Sequence, residues 1–409
     1  KLNRHSPQKQ TQILLIMDLA TFSSLQNFRA SLNDAFLERT EIIDGVIASI
    51  ITEQNCFLFG APGTGKSELV RQIANGFNGC KFFGYLLSPT TDPSELYGPV
   101  AVSKLLEDEY TRDIKGYLPD SNIAFLDELF RGSSAVLNSL LQVLNERTFN
   151  NGKELVQTKI KSVVAATNSF PSEESLQAFC DRFLFRPTIE GLKKPTSKRK
   201  LYDWALSGNR PSVKSDLTIE SLQILKQEAD EVKVSDEFID IFTECMDMLE
   251  SRGMVISDRR RVQILKFLRG WAIVQGDDTL HPDYLHQTLH HIVYQSEEDL
   301  ETIKEVVDQV VPTADQFIRS LKKASGGIMN EFNSLRTRNM SNLNEVNEHM
   351  QKLKKILKEL RHIAGKCEEA LDSSKVRFTA SQRLQATKLC QNINHNADQV
   401  AEAISRYSK

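Results

Sequence analysis

The sequence predicts an α/β protein: a parallel sheet covered by helices, then an all-α region, then a C-terminal helical coiled-coil bundle. Three observations carry this. Short apolar runs alternate with helical periods through the first half, as buried parallel strands and their crossover helices do. A glycine-rich loop stands between one such run and an amphipathic helix. Near the C-terminus, apolar residues recur every three or four positions for four heptads.

Taken in order, residues 1–24 read as an N-terminal tail, basic at Lys1, Arg4 and Lys9 and without periodicity. The first residue is Lys, which leaves a truncation or cloning remnant open and makes Met17 a candidate natural start. A signal peptide fits poorly, because the apolar stretch Ile13–Met17 is short and stopped by Asp18. Residues 25–192 form the α/β core. Its strand runs are Asn55–Phe59, Lys81–Leu87, Asn122–Leu126, Ser162–Ala166 and Phe183–Ile189, with helical faces such as Leu137, Leu140, Leu141 and Leu144 between them. Short buried strands separated by helices favour right-handed parallel crossovers.

Residues 193–296 lose the strand runs and read as a small all-α domain with joints at Lys193–Ser197 and Gly208–Pro211. Residues 297–409 read as a C-terminal helical hairpin or bundle. One seam runs Leu343, Val346, Met350, Leu353, Leu357, Leu360, Ala364, Cys367, Leu371. A second runs Ala386, Cys390, Ile393, Ala397, Val400, Ile404, and a looser one Leu300, Ile303, Val307, Val310. With turns expected at Ser325-Gly326-Gly327 and Asp372-Ser373-Ser374, three long helices pack together.

Composition narrows the function. A chain of 409 residues exceeds a single compact core, and no apolar run reaches the ~18–20 residues of a membrane span. The net charge of −3 gives no basic field, which argues against nucleic acid. The six cysteines form no C-x-x-C pair, so they read as reduced, individually buried thiols of a cytoplasmic protein.

Gly60-Ala61-Pro62-Gly63-Thr64-Gly65-Lys66-Ser67 matches the P-loop pattern and stands between the run Cys56–Phe59 and the helical stretch Glu68–Phe77. Its glycines let successive N–H groups turn inward around phosphate, and the helix start adds partial positive charge. Lys66 would reach the β- and γ-phosphates of ATP, and Ser67 would ligate Mg²⁺. Ile123–Leu126 ends in Asp127 and Glu128: the first suits Mg²⁺, the second suits polarising a water for in-line attack. Asn168, after Ser162–Ala166, could hold that water or be a turn residue. Arg182 precedes the last strand and Arg186 follows closely, and an arginine here could reach a neighbouring subunit's γ-phosphate or pair with Asp181. Ser257-Asp258-Arg259-Arg260-Arg261 starts a helix, from which an arginine could contact the γ-phosphate across the cleft between core and helical domain.

These residues resemble the AAA+ ATPases, within them the MoxR family and its RavA-type branch. The matching stretches are GAPGTGKS (60–67), SPTTDPSELYGPV (88–100), KGYLPDSNIAFLDELFRGSSAVLNSLLQVLNERTFNNG (115–152), VVAATNSFP (163–171), LQAFCDRFLFR (176–186) and SDRR (257–260), so the resemblance spans about residues 25–295. It implies a five-stranded core, a helical lid, nucleotide between the two, and assembly as a homo-oligomeric ring, usually a hexamer. By family pattern Asn168 resembles sensor 1, Arg182 the arginine finger and Arg259 the sensor 2 arginine, with Arg186, Arg147 and Arg260 as rivals. Pro99–Tyr110 resembles the helix-2 insert and Phe149–Val156 the hairpin before sensor 1, both facing the pore. The relatives act as chaperone-like remodelling ATPases on protein clients, commonly paired with von Willebrand A domain proteins. RavA-type proteins carry a C-terminal insertion where residues 297–409 show only helical seams.

Two alternatives stay open: a nucleic-acid-dependent motor of the same superfamily, and a slow nucleotide-switched scaffold acting through its coiled coil. His286 and His290 share a helix face within a cluster that includes His281 and His291, but spacing places no third metal ligand. The basic stretch Lys193, Lys194, Lys198, Arg199, Lys200 reads as a solvated linker, because no aromatics interleave for base stacking.

Overall fold

Four parallel strands frame the first half of the chain: β1 (Cys56–Phe59), β2 (Phe82–Leu86), β3 (Ile123–Asp127) and β6 (Ser162–Thr167), in the order β1-β6-β3-β2. β1 and β6 are buried throughout and β3 nearly so, whereas β2 at the edge is half-exposed. That gradient is why the inner strands read as unbroken apolar runs. A separate antiparallel hairpin pairs β4 (Thr148–Asn151) with β5 (Glu154–Gln157). The computed structural model describes residues 7–168, 176, 179–294, 296, 298–311, 313–336, 343–372, 376 and 380–407. Residues 169–171 and 177–178 of the quoted family stretches, and Ser373-Ser374 of the expected turn, lie outside them.

The sheet has four strands rather than the expected five. The run Phe183–Ile189 does lie beside β1, through Leu184 N–H to Asn55 O (2.9 Å), Phe57 N–H to Phe185 O (2.8 Å), Phe59 N–H to Pro187 O (3.0 Å) and Ile189 N–H to Phe59 O (2.6 Å). Pro187 has no N–H to return to β1, and Arg186 N–H turns away to His291 O (2.7 Å). The ladder is thereby reduced to two isolated bridges, Cys56 with Phe185 and Phe59 with Thr188.

The helices of this half are α1 (Pro7–Ala35), α2 (Thr40–Ile51), α3 (Lys66–Asn75), α4 (Pro93–Tyr97), α5 (Val102–Leu105) and α6 (Ser134–Glu146). Residues 7–24, expected as part of an aperiodic tail, are the first part of α1. Leu25, Phe28 and Leu32 of this helix, beyond the expected tail, are fully buried. Phe28 meets Phe77 edge to face at 5.8 Å. α2 is buried from Ile42 to Ile51, and Gly45 leaves room for the Phe185 ring. Any side chain there would overlap that ring.

Later helices are α7 (Pro195–Ser207), α8 (Ile219–Glu231), α9 (Asp236–Ser251), α10 (Asp258–Gln275), α11 (Asp283–Ile292), α12 (Asp299–Val310), α13 (Ala314–Arg336), α14 (Leu343–Asp372) and α15 (Ala380–Tyr407). The chain forms two compact units: residues 1–234 with 253–280 and 287–300, and residues 235–252 with 281–286 and 301–409.

In the second unit α14 and α15 are antiparallel: Cys367 Sγ donates to Ala386 O (3.6 Å) and Cys390 Sγ to Ala364 O (4.0 Å). Among the described side chains the predicted seams lie on the packed faces, with Leu353, Leu360, Ala364, Cys367, Ala386, Cys390, Ile393, Ala397 and Val400 buried, widened by Ile356 and Ala370. Leu353, Leu360, Ala364, Ile393, Ala397 and Val400 share one core with Phe332 and Leu335 of α13. The expected turn Ser325–Gly327 is instead continuous helix within α13, and the looser seam Leu300–Val310 belongs to the separate α12. Two mid-helix glycines cost about 1 kcal/mol each relative to alanine. Burial of Leu321, Phe332 and Leu335 on either side outweighs that local preference. All six cysteines are free, but Cys367 and Cys390 share one buried cluster rather than lying apart. Among the described residues no helix is long and apolar enough to cross a membrane.

Candidate functional site

The site grows from the C-terminal edge of the parallel sheet, where ligands of open α/β sheets gather. After β1 the backbone turns at Gly60 (φ 151°), whose N–H donates to Thr167 O at 3.1 Å. A side chain at Gly60 would meet Ile189 O at 2.3 Å. Gly63 (φ 77°) and Gly65 (φ 83°) also lie in the left-handed region, yet a Cβ added at either meets nothing within 4 Å. The loop therefore leaves open space at Gly63 and Gly65. Gly65 is the N-cap of α3, so the first N–H groups of that helix face the same space. Ala61 and Pro62 are exposed along the rim, and Thr64 Oγ1 braces the loop by donating to Ala61 O at 2.9 Å.

Lys66 opens α3 and is buried, its Nζ donating to Gly60 O (2.6 Å) and Ala61 O (3.1 Å). Burial lowers its ammonium below the usual value, while the carboxylates of Asp127 and Glu128 act in the opposite sense. Ser67, half-buried, is the next residue of the same turn.

Asp127 ends β3, and its Oδ1 accepts the Glu128 N–H at 3.0 Å. Glu128 itself has φ 51°, so the chain swings out of the sheet through a left-handed residue. Strain of this kind in a non-glycine residue is common where a side chain must be aimed. The Glu128 carboxylate accepts from Asn168 Nδ2 at 3.0 Å and stands 3.7 Å from Arg131 Nε. Asn168 follows β6, which lies between β1 and β3. Strand order thus brings the P-loop, Asn168 and the Asp127–Glu128 pair side by side.

The arginines are elsewhere. Arg182 and Arg259, both exposed, line a basic cavity of about 650 Å³ together with Lys226 and Lys266. Neither lines the cavity of about 690 Å³ that contains Ala61–Gly65. Arg259, expected to contact the γ-phosphate across the cleft, thus lines a cavity other than the one that contains Ala61–Gly65. The rival arginines are engaged in the fold. Arg186 is fully buried and donates to Ile292 O (2.9 Å) and Tyr294 O, and Arg260 donates to Ile292 O and Asp181 O. Arg147 donates to Glu53 O (2.9 Å) and Lys161 O (3.3 Å). Burial lowers Arg147 to about 10 and Arg260 to about 9.

Sequence reasoning missed the apolar wall of the P-loop cavity: Phe36 at the end of α1, and Leu201, Tyr202 and Trp204 on α7. Tyr202 is 60% exposed. No spacing in the sequence ties these residues to the loop. The expected insert and hairpin lie against one another: a side chain at Gly152 of the hairpin would meet Tyr110 O of the insert at 1.9 Å, and Val102, Leu105 and Leu106 of the insert are exposed.

Comparisons with known proteins agree with this architecture. Residues 23–227 match the family model of the MoxR domain in the MoxR–vWA–β-propeller ternary systems, and residues 218–307 match an AAA lid domain. Two uncharacterised proteins of Methanocaldococcus jannaschii are each 32% identical, one over 76% of this chain and 82% of its own length, the other over 73% and 79%. A structural protein of Acidianus two-tailed virus is 29% identical over 56% of this chain and 38% of its own. The crystal structure of a candidate ATPase from Cytophaga hutchinsonii has the same fold, with a TM-score of 0.60 at 16% identity, covering 74% of this chain and 97% of that one.

Proposed function

The chain belongs to the family of MoxR domains of the MoxR–vWA–β-propeller ternary systems and carries an AAA lid domain, and on that premise we propose that it is a Mg²⁺-dependent ATPase working as a homo-oligomeric ring on protein clients. One observation carries the reading: Lys66, Asp127, Glu128 and the Asn168 amide converge at one edge of the sheet beside an open glycine cradle.

The backbone N–H groups of Gly60–Gly65 and the start of α3 bind phosphate oxygens, and Lys66 leaves its loop carbonyls for the β- and γ-phosphates. Ser67 and Asp127 are the residues that would hold Mg²⁺, an all-oxygen pair suited to a hard cation, which supplies neutralisation of phosphate charge there. Glu128 orients and deprotonates the attacking water, and Asn168 positions Glu128. Phe36, Tyr202 and Trp204 offer the flat apolar surface a base requires.

Arg182 and Arg259 act on the nucleotide of a second copy, since their cavity is separate from the P-loop cavity of the same subunit. A ring, hexameric as in the wider superfamily, satisfies that requirement at every site. The exposed Val102, Leu105, Leu106 and the β4–β5 hairpin are the client-facing elements, and a von Willebrand A domain protein is the partner the family description favours. The motif set over residues 25–295 favours the RavA-type branch, with chaperone-like remodelling as the task.

The test is light-scattering mass and ATP turnover of the chain and its Glu128→Gln form, with and without ATP–Mg²⁺. A nucleotide-dependent ring with turnover lost in Glu128→Gln supports the proposal. A monomer in every condition removes the ring, and undiminished turnover in Glu128→Gln removes the site assignment.

A further inference from the structure

Away from the nucleotide site, α2 begins next to the end of α11. Glu41 lies in the first turn of α2, and His290 and His291 lie in the last turn of α11. One ligand atom from each of the three falls within 4.8 Å of the others. Adjacent residues on a helix normally diverge by about 100°, yet the rings of His290 and His291 turn towards one another, with centroids 3.9 Å apart. His286, which shares a helix face with His290, is engaged instead with Val311 O and Asp308.

The inner member of the cluster points to a ligand. His291 Nε2 is buried without a hydrogen-bond partner, while its ring packs edge-on against Phe185 at 5.3 Å. The nitrogen faces Glu41 Oε2 at 3.7 Å, too far for a hydrogen bond and close enough for both atoms to share an ion.

We propose that Glu41, His290 and His291 form a divalent-cation site of the zinc class, unconnected with the Mg²⁺ of the nucleotide. Two imidazole nitrogens and one carboxylate oxygen are borderline donors, which select zinc or cobalt over magnesium or calcium. Ligands bound at about 2.0–2.1 Å around a tetrahedral metal stand roughly 3.4 Å from one another. The observed cluster closes to that spacing by rotation of side chains, chiefly the 61% exposed Glu41. Three protein ligands leave a fourth position for water. Occupied, the site ties the start of α2, the helix that leads into β1 and the P-loop, to the end of α11.

The experiment uses the full chain, freed of nucleotide and Mg²⁺, titrated with Co²⁺ in the visible range and with Zn²⁺ by calorimetry. One equivalent of each is expected, with a tetrahedral Co²⁺ band and a Zn²⁺-dependent rise in Tm. Glu41→Gln and His290→Gln, with circular dichroism confirming their fold, should each weaken both metals by about 10-fold or more. Absence of saturable binding, or equal affinity in the two variants, overturns the site and leaves Glu41 and His291 as a simple ion pair.

Discussion

Asn168 Nδ2 donates to Glu128 Oε1 at 3.0 Å, joining the residue after β6 to the residue after β3. Both follow strands of one sheet, so the contact is set by strand order rather than by loop flexibility. It holds the Glu128 carboxylate in place despite the left-handed backbone beneath it.

Glu128→Gln should retain ATP binding and lose turnover by about 10²–10⁴, the usual contribution of a positioned general base. Asn168→Ala should lose less, because it acts through Glu128. Steady-state kcat beside nucleotide affinity checks both.

The two glycines of the loop should behave differently. Gly60→Ala places Cβ 2.3 Å from a backbone oxygen and should destabilise the fold by about 1–3 kcal/mol. Gly63→Ala meets open space, so its main cost is the left-handed φ, about 1 kcal/mol. It should leave Tm little changed while weakening ATP by tenfold or more, as a methyl group enters the cradle.

Separate cavities for the P-loop and for Arg182 with Arg259 predict complementation. Lys66→Ala and Arg182→Ala should each be inactive alone. Mixed rings should recover part of the turnover, because an intact P-loop in one subunit meets an intact Arg182 in its neighbour. Mixtures no more active than their components would place Arg182 outside the reaction.

Glu53 accepts from Lys161 Nζ (2.8 Å) and Lys226 Nζ (2.6 Å). Burial opposes its charge, but the two ammonium groups prevail and hold the carboxyl below its ordinary 4.5. A depressed carboxylate adds stability that is complete above the unfolded value and fades as pH falls through the folded one. Glu53→Gln should therefore lower Tm at pH 7, with the difference fading as pH falls below 4.5 and through the depressed folded value.

Leu360 is fully buried in the core shared by α13, α14 and α15. Leu360→Ala should cost about 2–5 kcal/mol in the second unit, read as a lower urea midpoint of that transition.

Much of this was legible in the residues. Spacing alone singled out Lys66, Asp127, Glu128 and Asn168, which the fold brings to one edge of the sheet, because a P-loop pattern and a strand-ending acid pair leave local signatures. The α14 and α15 seams were legible for the same reason, since heptad positions such as Leu353, Leu360, Ile393 and Val400 are their own record of which face is buried. The fifth strand was overcounted, because an apolar run does not reveal that Pro187 cannot complete a ladder. The turn at Ser325–Gly327 was misread, because local glycine preference was weighed without the packing that overrides it.

By itself the sequence determined most of the inner strands and long helices and the place of the glycine-rich loop and the Asp127–Glu128 pair, all of which depend on neighbours within a few residues. Only the tertiary structure shows where the arginines lie: Arg186, Arg260 and Arg147 donate to carbonyls of the fold, while Arg182 and Arg259 line a cavity other than that of the P-loop. Likewise, only the fold set Glu41 against His290 and His291. These are long-range pairings, specified by how helices and strands cross in space, and no local spacing encodes them.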